Sequence, residues 1–382
     1  MNLYIVAFLM LTFCSLCEPY SINVGTTPSK RFVGRREVIS TATATVLSLP
    51  FLPSVARSEI PGIAGQSPKT ILITGASSGI GFDAVSRFVS LGHTVYASAR
   101  NLEKSESIKT RISSDLPGTC ITGVCDLSDL SSVTAYADRL KANGVKFDCA
   151  CLNAGLAPGI SRKTPERTKE GFEMTVGVNH FGHFKLMSLL KPSLKENSRV
   201  TITASGVHDP DSPGGQQGSK ATLGDLKGLE EIGRDCEMID GGAYDPDKAY
   251  KDSKLCNVFF TRELQKRNPN LQVNCFTPGL IVSTGLFRDQ NPIFTKVFDV
   301  AATNVFKVGE SIEWGGGALA YIALSEDVKT YGGYYGSKPG SSKYGDAAYG
   351  SSFSVDTVSK EVAEGEKKQQ RLWELSEKLV NL

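Results

Sequence analysis

The pattern Tyr-x-x-x-Lys occurs three times in the chain, as Tyr244/Lys248, Tyr250/Lys254 and Tyr334/Lys338. On a helix, residues i and i+4 share a face, so such a pair sets an ammonium beside a phenol. The charge is expected to lower the phenol pKa from about 10 and help it exchange a proton. Only the Tyr250/Lys254 pair continues into a plausible long helix, over Leu255–Gln265. Pro246 interrupts the first pair, and the third lies in a Gly-rich stretch ending at Pro339. Tyr250 and Lys254 are therefore the expected acid and its helper. Ser205 follows the strand pattern Arg199–Ala204, where its hydroxyl can hydrogen-bond a reacting group. Asn179 lies in the helical stretch Val178–Phe184. His180 and His183 in that stretch have no third ligand in view, so they read as packing histidines rather than a metal pair.

Elements that position these groups can be read upstream. Thr70–Ile73 is an apolar, β-branched run of the kind found in buried parallel strands. It leads through Gly75-Ala76-Ser77-Ser78-Gly79-Ile80-Gly81 into the amphipathic Phe82–Leu91. Glycines at that spacing, between a strand and a helix, let the backbone approach a pyrophosphate at the helix N-terminus. The turn thus predicts a dinucleotide cofactor. The second strand, His93–Ala99, ends at Arg100, where an acid would select NAD; a cation there, with Lys104 nearby, suits the 2′-phosphate of NADPH. A third strand ends at Cys125-Asp126-Leu127, where the Asp can hold the adenine amino group. A fourth, Asp148–Leu152, runs into Asn153-Ala154-Gly155, and another ends at Pro278-Gly279.

Composition narrows the classes further. The 382 residues carry 42 basic and 40 acidic side chains, which argues against a nucleic-acid binder. Nine Cys and four His form no metal pattern; Cys14/Cys17 lie at the end of an apolar run without paired His, so no metal and no disulfide framework are expected. Leu3–Leu16 resembles a signal-peptide core, and the acid-poor stretch after it resembles a transit peptide. Residues 1–56 are read as a bipartite plastid-targeting leader and 57–68 as a linker, ahead of a catalytic domain over 69–382. Without residues 1–56 the chain has 38 basic and 38 acidic residues. The expected location is the stroma or thylakoid surface, with peripheral membrane association left open. Arg35-Arg36 before the apolar run Val38–Ala56 keeps the thylakoid lumen open as an alternative.

This order of motifs resembles the short-chain dehydrogenase/reductase family. The resemblance implies a single α/β domain, a doubly wound parallel sheet of Rossmann type, with NADPH as cofactor. It also implies that Asn179 holds a proton-relay water and that Ser283-Thr284 belongs to a loop closing over the nicotinamide, with Thr284 touching the cofactor. The stretch between Ser205 and Tyr250 is much longer than in ordinary members, and an insertion over about 206–245 reads as functional, often a substrate lid. That insertion, Ala249–Asn257, Thr284–Arg288 and the tail Trp373–Val380 resemble the light-dependent protochlorophyllide oxidoreductase branch. The likeness implies reduction of the porphyrin C17–C18 double bond with Tyr250 as proton donor. Two positions depart from the branch: Leu280 stands where cysteine is usual, and Leu156-Ala157 follows Asn153-Ala154-Gly155 where a tyrosine is common. Leu280 and Leu156 are the expected substrate contacts. A paralogue reducing another hydrophobic substrate in the dark, and a non-catalytic NADPH- and pigment-binding protein, remain alternatives. A homo-oligomer is also left open.

Overall fold

The structure is a computed structural model and describes residues 59–282 and 308–381. The expected leader and Thr284 lie outside the described residues. The apolar run at Thr70–Ile73 forms β1, and helix α1, Gly79–Ser90, starts at the second glycine of the turn. The chain continues through β2 (Thr94–Ala99), α2 (Leu102–Arg111), β3 (Thr119–Val124), α3 (Leu130–Ala142) and β4 (Phe147–Leu152). A π-helical turn, Gly177–Gly182, runs directly into α4 (His183–Leu190). Then come β5 (Leu194–Thr203), α5 (Pro246–Arg267), β6 (Gln272–Phe276), α6 (Ile312–Leu324), β7 (Tyr334–Ser337) and β8 (Phe353–Val355). Two C-terminal helices follow, α7 (Lys360–Glu364) and α8 (Glu366–Leu379).

The strands form one sheet in the order β3-β2-β1-β4-β5-β6-β7-β8. All neighbours are parallel except β7 and β8. Between β1 and β4 the order reverses, which opens a crevice at the carboxyl ends of those strands. An apolar cluster lies on each face. One includes Val85, Phe88, Trp314 and Tyr349 from the side of α1 and α6. The other includes Leu140, Phe184, Phe259 and Leu372 from the side of α3, α4, α5 and α8. Among the described residues no helix is long and apolar enough to cross a membrane.

Two expectations change. Residues 59–68, read as a linker, dock on the domain: Ile60 and Ile63 are buried, and Gln66 Nε2 donates to Leu324 O at 2.8 Å. The insertion does not hover as a lid. Leu223, Leu226, Leu229 and Ile239 are buried in the core cluster. Leu223, Leu226 and Leu229 recur every third residue, but Gly224 and Gly228 between them argue against a helix, so their burial is not visible as a pattern. The first turns of α5 then clamp the insertion. Ser219 N donates to Asp247 at 2.9 Å and Thr222 N to Asp252 at 3.0 Å. Lys248 Nζ bridges Asp252 at 2.5 Å and Asp240 at 3.0 Å, and donates to Thr222 O at 2.7 Å. Burial pushes the Asp252 carboxyl up to about 7, against the pull of Lys248.

Candidate active site

The glycine turn is shaped by close approach. Gly75 has φ +67°, and a Cβ there would lie 2.7 Å from Ala154 Cα. A Cβ on Gly81 would lie 2.7 Å from Asn153 Nδ2. Ser78 is the extended N-cap of α1, its side chain makes no cap bond, and the first turn holds no acid. Free N–H groups at the end of a twelve-residue helix, beside a backbone with no room for Cβ atoms, fit a pyrophosphate. Ser77 O accepts from Arg111 Nη1 at 2.8 Å. Ile80 packs beside Gly315 of α6.

Around the turn, the strand ends present the expected groups. Arg100 is exposed just before α2, and Asn101 caps that helix by accepting from Lys104 N at 2.9 Å. Lys104 Nζ pairs at 3.5 Å with the exposed Glu103, a contact that leaves it available to an anion. Asp126 Oδ1 is fixed by Ser128 N at 3.0 Å and Oγ at 2.7 Å, and Leu127 is buried next to Gly182. Thr74 Oγ1 accepts from both Asn153 N and Ala154 N at 3.0 Å, which ties the end of β1 to the end of β4. Its one proton then goes to His183 Nε2, 2.8 Å away.

That bond fixes His183 as the tautomer with hydrogen on Nδ1, which donates to the Asn179 carbonyl at 3.1 Å. Burial lowers its pKa to about 4, so it stays neutral. The Asn179 side chain is committed as well: Oδ1 accepts from Leu156 N at 2.9 Å, and Nδ2 donates to Leu156 O at 3.0 Å and Ser253 Oγ at 2.9 Å. Asn179 thus holds the Asn153–Leu156 loop, and its carbonyl has an imidazole partner. His180 bonds Ser376 Oγ at 2.9 Å among Phe181, Phe184 and Phe260. Both histidines therefore pack, and among the described residues no group of His, Cys, Asp or Glu is arranged to hold a metal.

The acid–base pair lies on α5. Asp245 caps this helix by accepting from Lys248 N at 3.0 Å, and Pro246 occupies its first turn. Tyr244 therefore precedes the helix and cannot share a face with Lys248. Tyr334 is buried on β7. Tyr250 and Lys254 remain, with Lys254 Nζ 5.6 Å from the Tyr250 ring centroid. The Ser205 side chain acts on the Tyr250 phenol, and Lys254 Nζ donates to Thr203 O at 3.1 Å. Gly155 completes the cluster: a Cβ there would sit 3.3 Å from Asn179 Oδ1 and 3.5 Å from Lys254 Nζ.

The expected pull of Lys254 on the phenol does not appear. Burial pushes Tyr250 up to about 12, with the Ser205 side chain opposing. Lys254 faces the ring and Thr203 O, and its own ammonium is lowered by burial to about 8. Tyr250 is consequently a firmly protonated phenol, suited to giving a proton.

Pro278 and Gly279 follow β6, and Gly279 N donates to Thr277 Oγ1 at 3.2 Å. Gly279 has φ +82°, and a Cβ there would meet Glu310 Cγ at 2.5 Å. Leu280 is half-buried and bridges Gly309. Leu156 is half-buried and packs on the core beneath the loop. Thr74, Thr203, Thr277 and Glu310 were not singled out from sequence. Only Thr74, next to the glycine turn, had a local signal that would have found it.

The chain resembles known proteins in sequence and in fold. Residues 69–214 match the family described as short chain dehydrogenase. The chain is 33% identical over 341 residues to "Protochlorophyllide reductase, chloroplastic" of Cucumis sativus, covering 86% of this chain and 82% of the relative. It is 33% identical over 359 residues to the protein of that name from Chlamydomonas reinhardtii, covering 90% and 86%. An uncharacterized protein from Mycobacterium paratuberculosis superposes with TM-score 0.58 at 26% identity, over 84% of this chain and 96% of that one. L-sorbose reductase from Gluconobacter frateurii, solved with NADPH and L-sorbose, shares the fold at TM-score 0.51 and 18% identity, over 71% and 95%. With the glycine cradle, the Ser205/Tyr250/Lys254 cluster and relatives matched over most of both lengths, the chain belongs to the short-chain dehydrogenase/reductase family and is an NAD(P)(H)-dependent oxidoreductase.

Proposed function

We propose that this protein is a plastid NADPH-dependent protochlorophyllide reductase that uses light absorbed by its bound substrate. The observation that carries the reading is the 33% identity to protochlorophyllide reductases across more than four-fifths of both chains, joined to an intact Ser205/Tyr250/Lys254 cluster. The turn Gly75–Gly81 and the N-terminus of α1 hold the pyrophosphate. Arg100 and Lys104 face the 2′-phosphate, Asp126 and Leu127 the adenine, and Asn153–Gly155 with Pro278-Gly279 the nicotinamide half. Thr284 is assigned to the same loop. When bound, NADPH supplies a hydride to one carbon of the C17–C18 double bond.

The chain's own residues manage the proton. Tyr250 keeps its phenol proton through neutral pH and gives it to the other carbon, while Ser205 orients the hydroxyl. Lys254, charged below about pH 8, is held on Thr203 O beside the Tyr250 ring. Leu156 and Leu280 line an apolar substrate side, and that substitution of apolar groups favours a second reading, a dark reductase of another hydrophobic substrate. Absorbance spectra of the protein with NADPH and protochlorophyllide, first dark and then illuminated, decide between them. Conversion on illumination alone is expected. Absence of pigment binding would overturn the leading assignment and leave the reductase class.

A further inference from the structure

Ser205 must present its hydroxyl to Tyr250, yet it ends a strand and opens a long insertion. Its orientation is set by the peptide joining it to Gly206. One edge of that peptide is held by Thr277, whose Oγ1 accepts from Gly206 N at 3.2 Å. The other edge is held by His208, whose Nδ1 lies 2.8 Å from Ser205 O. A carbonyl only accepts, so Nδ1 carries the hydrogen. On the far side of the ring, Ser359 N points at Nε2 across 3.4 Å, and an amide only donates. Both neighbours therefore select one neutral tautomer. The ring is 1% exposed and packs edge-on against Tyr334 at 4.6 Å. Asp209 and Asp356 are the acids whose charge acts on this imidazole.

We propose that His208 is a positioning residue for Ser205, locking the Ser205–Gly206 peptide to the C-terminal segment at Ser359 so that the serine hydroxyl meets Tyr250. This rests on the reading that Ser205 and Tyr250 act in the reaction. His208 touches none of the reacting groups. The carbonyl also accepts from the backbone N–H of His208 at 3.2 Å, so loss of the imidazole loosens the peptide without stranding it. Asn at 208 keeps a donor near the Nδ1 position, whereas Leu keeps bulk alone.

The test uses the full chain. Imidazole nitrogen NMR of protein labelled in histidine, with the His208 signals assigned by their loss in His208→Asn, reads the tautomer without any substrate. The Nδ1–H form is expected at pH 7; an Nε2–H ring or an imidazolium would overturn the proposal. In turnover, His208→Leu is expected to lower kcat about tenfold, the effect of one lost hydrogen bond, with NADPH affinity unchanged. His208→Asn is expected to stay within about threefold of wild type. In a Ser205→Ala background, His208→Leu is expected to add less than about twofold, because both changes act through one group. Equal losses for Asn and Leu, or a tenfold loss persisting without the Ser205 hydroxyl, would refute the positioning role. If protochlorophyllide is not turned over, the functional assignment fails while the tautomer measurement still decides this one.

Discussion

Lys254 offers a direct measure of how strongly this site is desolvated. Its ammonium is buried and its pKa is lowered from 10.5 to about 8. The depression means that the folded protein binds fewer protons than the unfolded chain between those two values. Stability therefore rises with pH across that window. At 1.36 kcal/mol per pH unit, the ammonium costs the fold about 3 kcal/mol at pH 7, and about 2.5 kcal/mol of this is recovered by pH 10. Lys254→Met removes the titration while keeping the apolar stem. Asn257 Nδ2 still donates to Thr203 O at 3.2 Å, so the carbonyl is not left unpaired. The assay is urea unfolding of both proteins, without cofactor, at intervals from pH 7 to pH 10. Wild type minus variant is expected to gain about 2.5 kcal/mol across the series. Tyr250 does not interfere, because its raised pKa makes stability fall with pH only above about 10. Parallel curves for the two proteins would show that Lys254 is not desolvated, and the account of its charge in the site would fail.

Tyr250→Phe is expected to retain NADPH binding and slow product formation at least about 100-fold, while Tyr244→Phe and Tyr334→Phe stay active; single-turnover absorbance checks all three, and full turnover by the first would remove Tyr250 as the donor. Arg100→Ala is expected to weaken NADPH by about 1.5–3 kcal/mol and hardly alter NADH, measured by fluorescence titration. Equal losses would take Arg100 away from the 2′-phosphate. Lys248→Met removes the shared partner of Asp252, Asp240 and Thr222 O and is expected to destabilise the fold by an amount that grows as pH rises above about 7, where Asp252 ionises beside Lys248 but stays protonated without it. A pH-independent cost in urea unfolding would contradict the clamp between α5 and the insertion.

What could be read from the sequence was contiguous in it. The glycine turn lies between its strand and helix within a dozen residues, and the Tyr250/Lys254 spacing is local to one helix. The βαβ order follows from alternating apolar strands and amphipathic helices, so the doubly wound sheet was accessible before any coordinates. Selecting among three Tyr-x-x-x-Lys pairs was also local, because Pro246 marks where α5 begins. The parts that escaped depend on residues brought together from distant stretches. His208 meets Ser359 from 151 positions away, and Thr74 meets His183 from 109. The insertion looks like a loop because glycines interrupt its apolar spacing, yet tertiary packing buries Leu223, Leu226 and Leu229 in the core. The proton balance escaped for the same reason. Spacing shows that an ammonium adjoins a phenol, but burial decides how each titrates. Here burial lowers the lysine and raises the tyrosine, so the apoprotein holds the donor fully protonated and leaves the lysine charge near its tipping point at physiological pH. Any bound group that offers Lys254 a further hydrogen-bond acceptor would pull that charge back up, so ligand occupancy sets the protonation of the lysine.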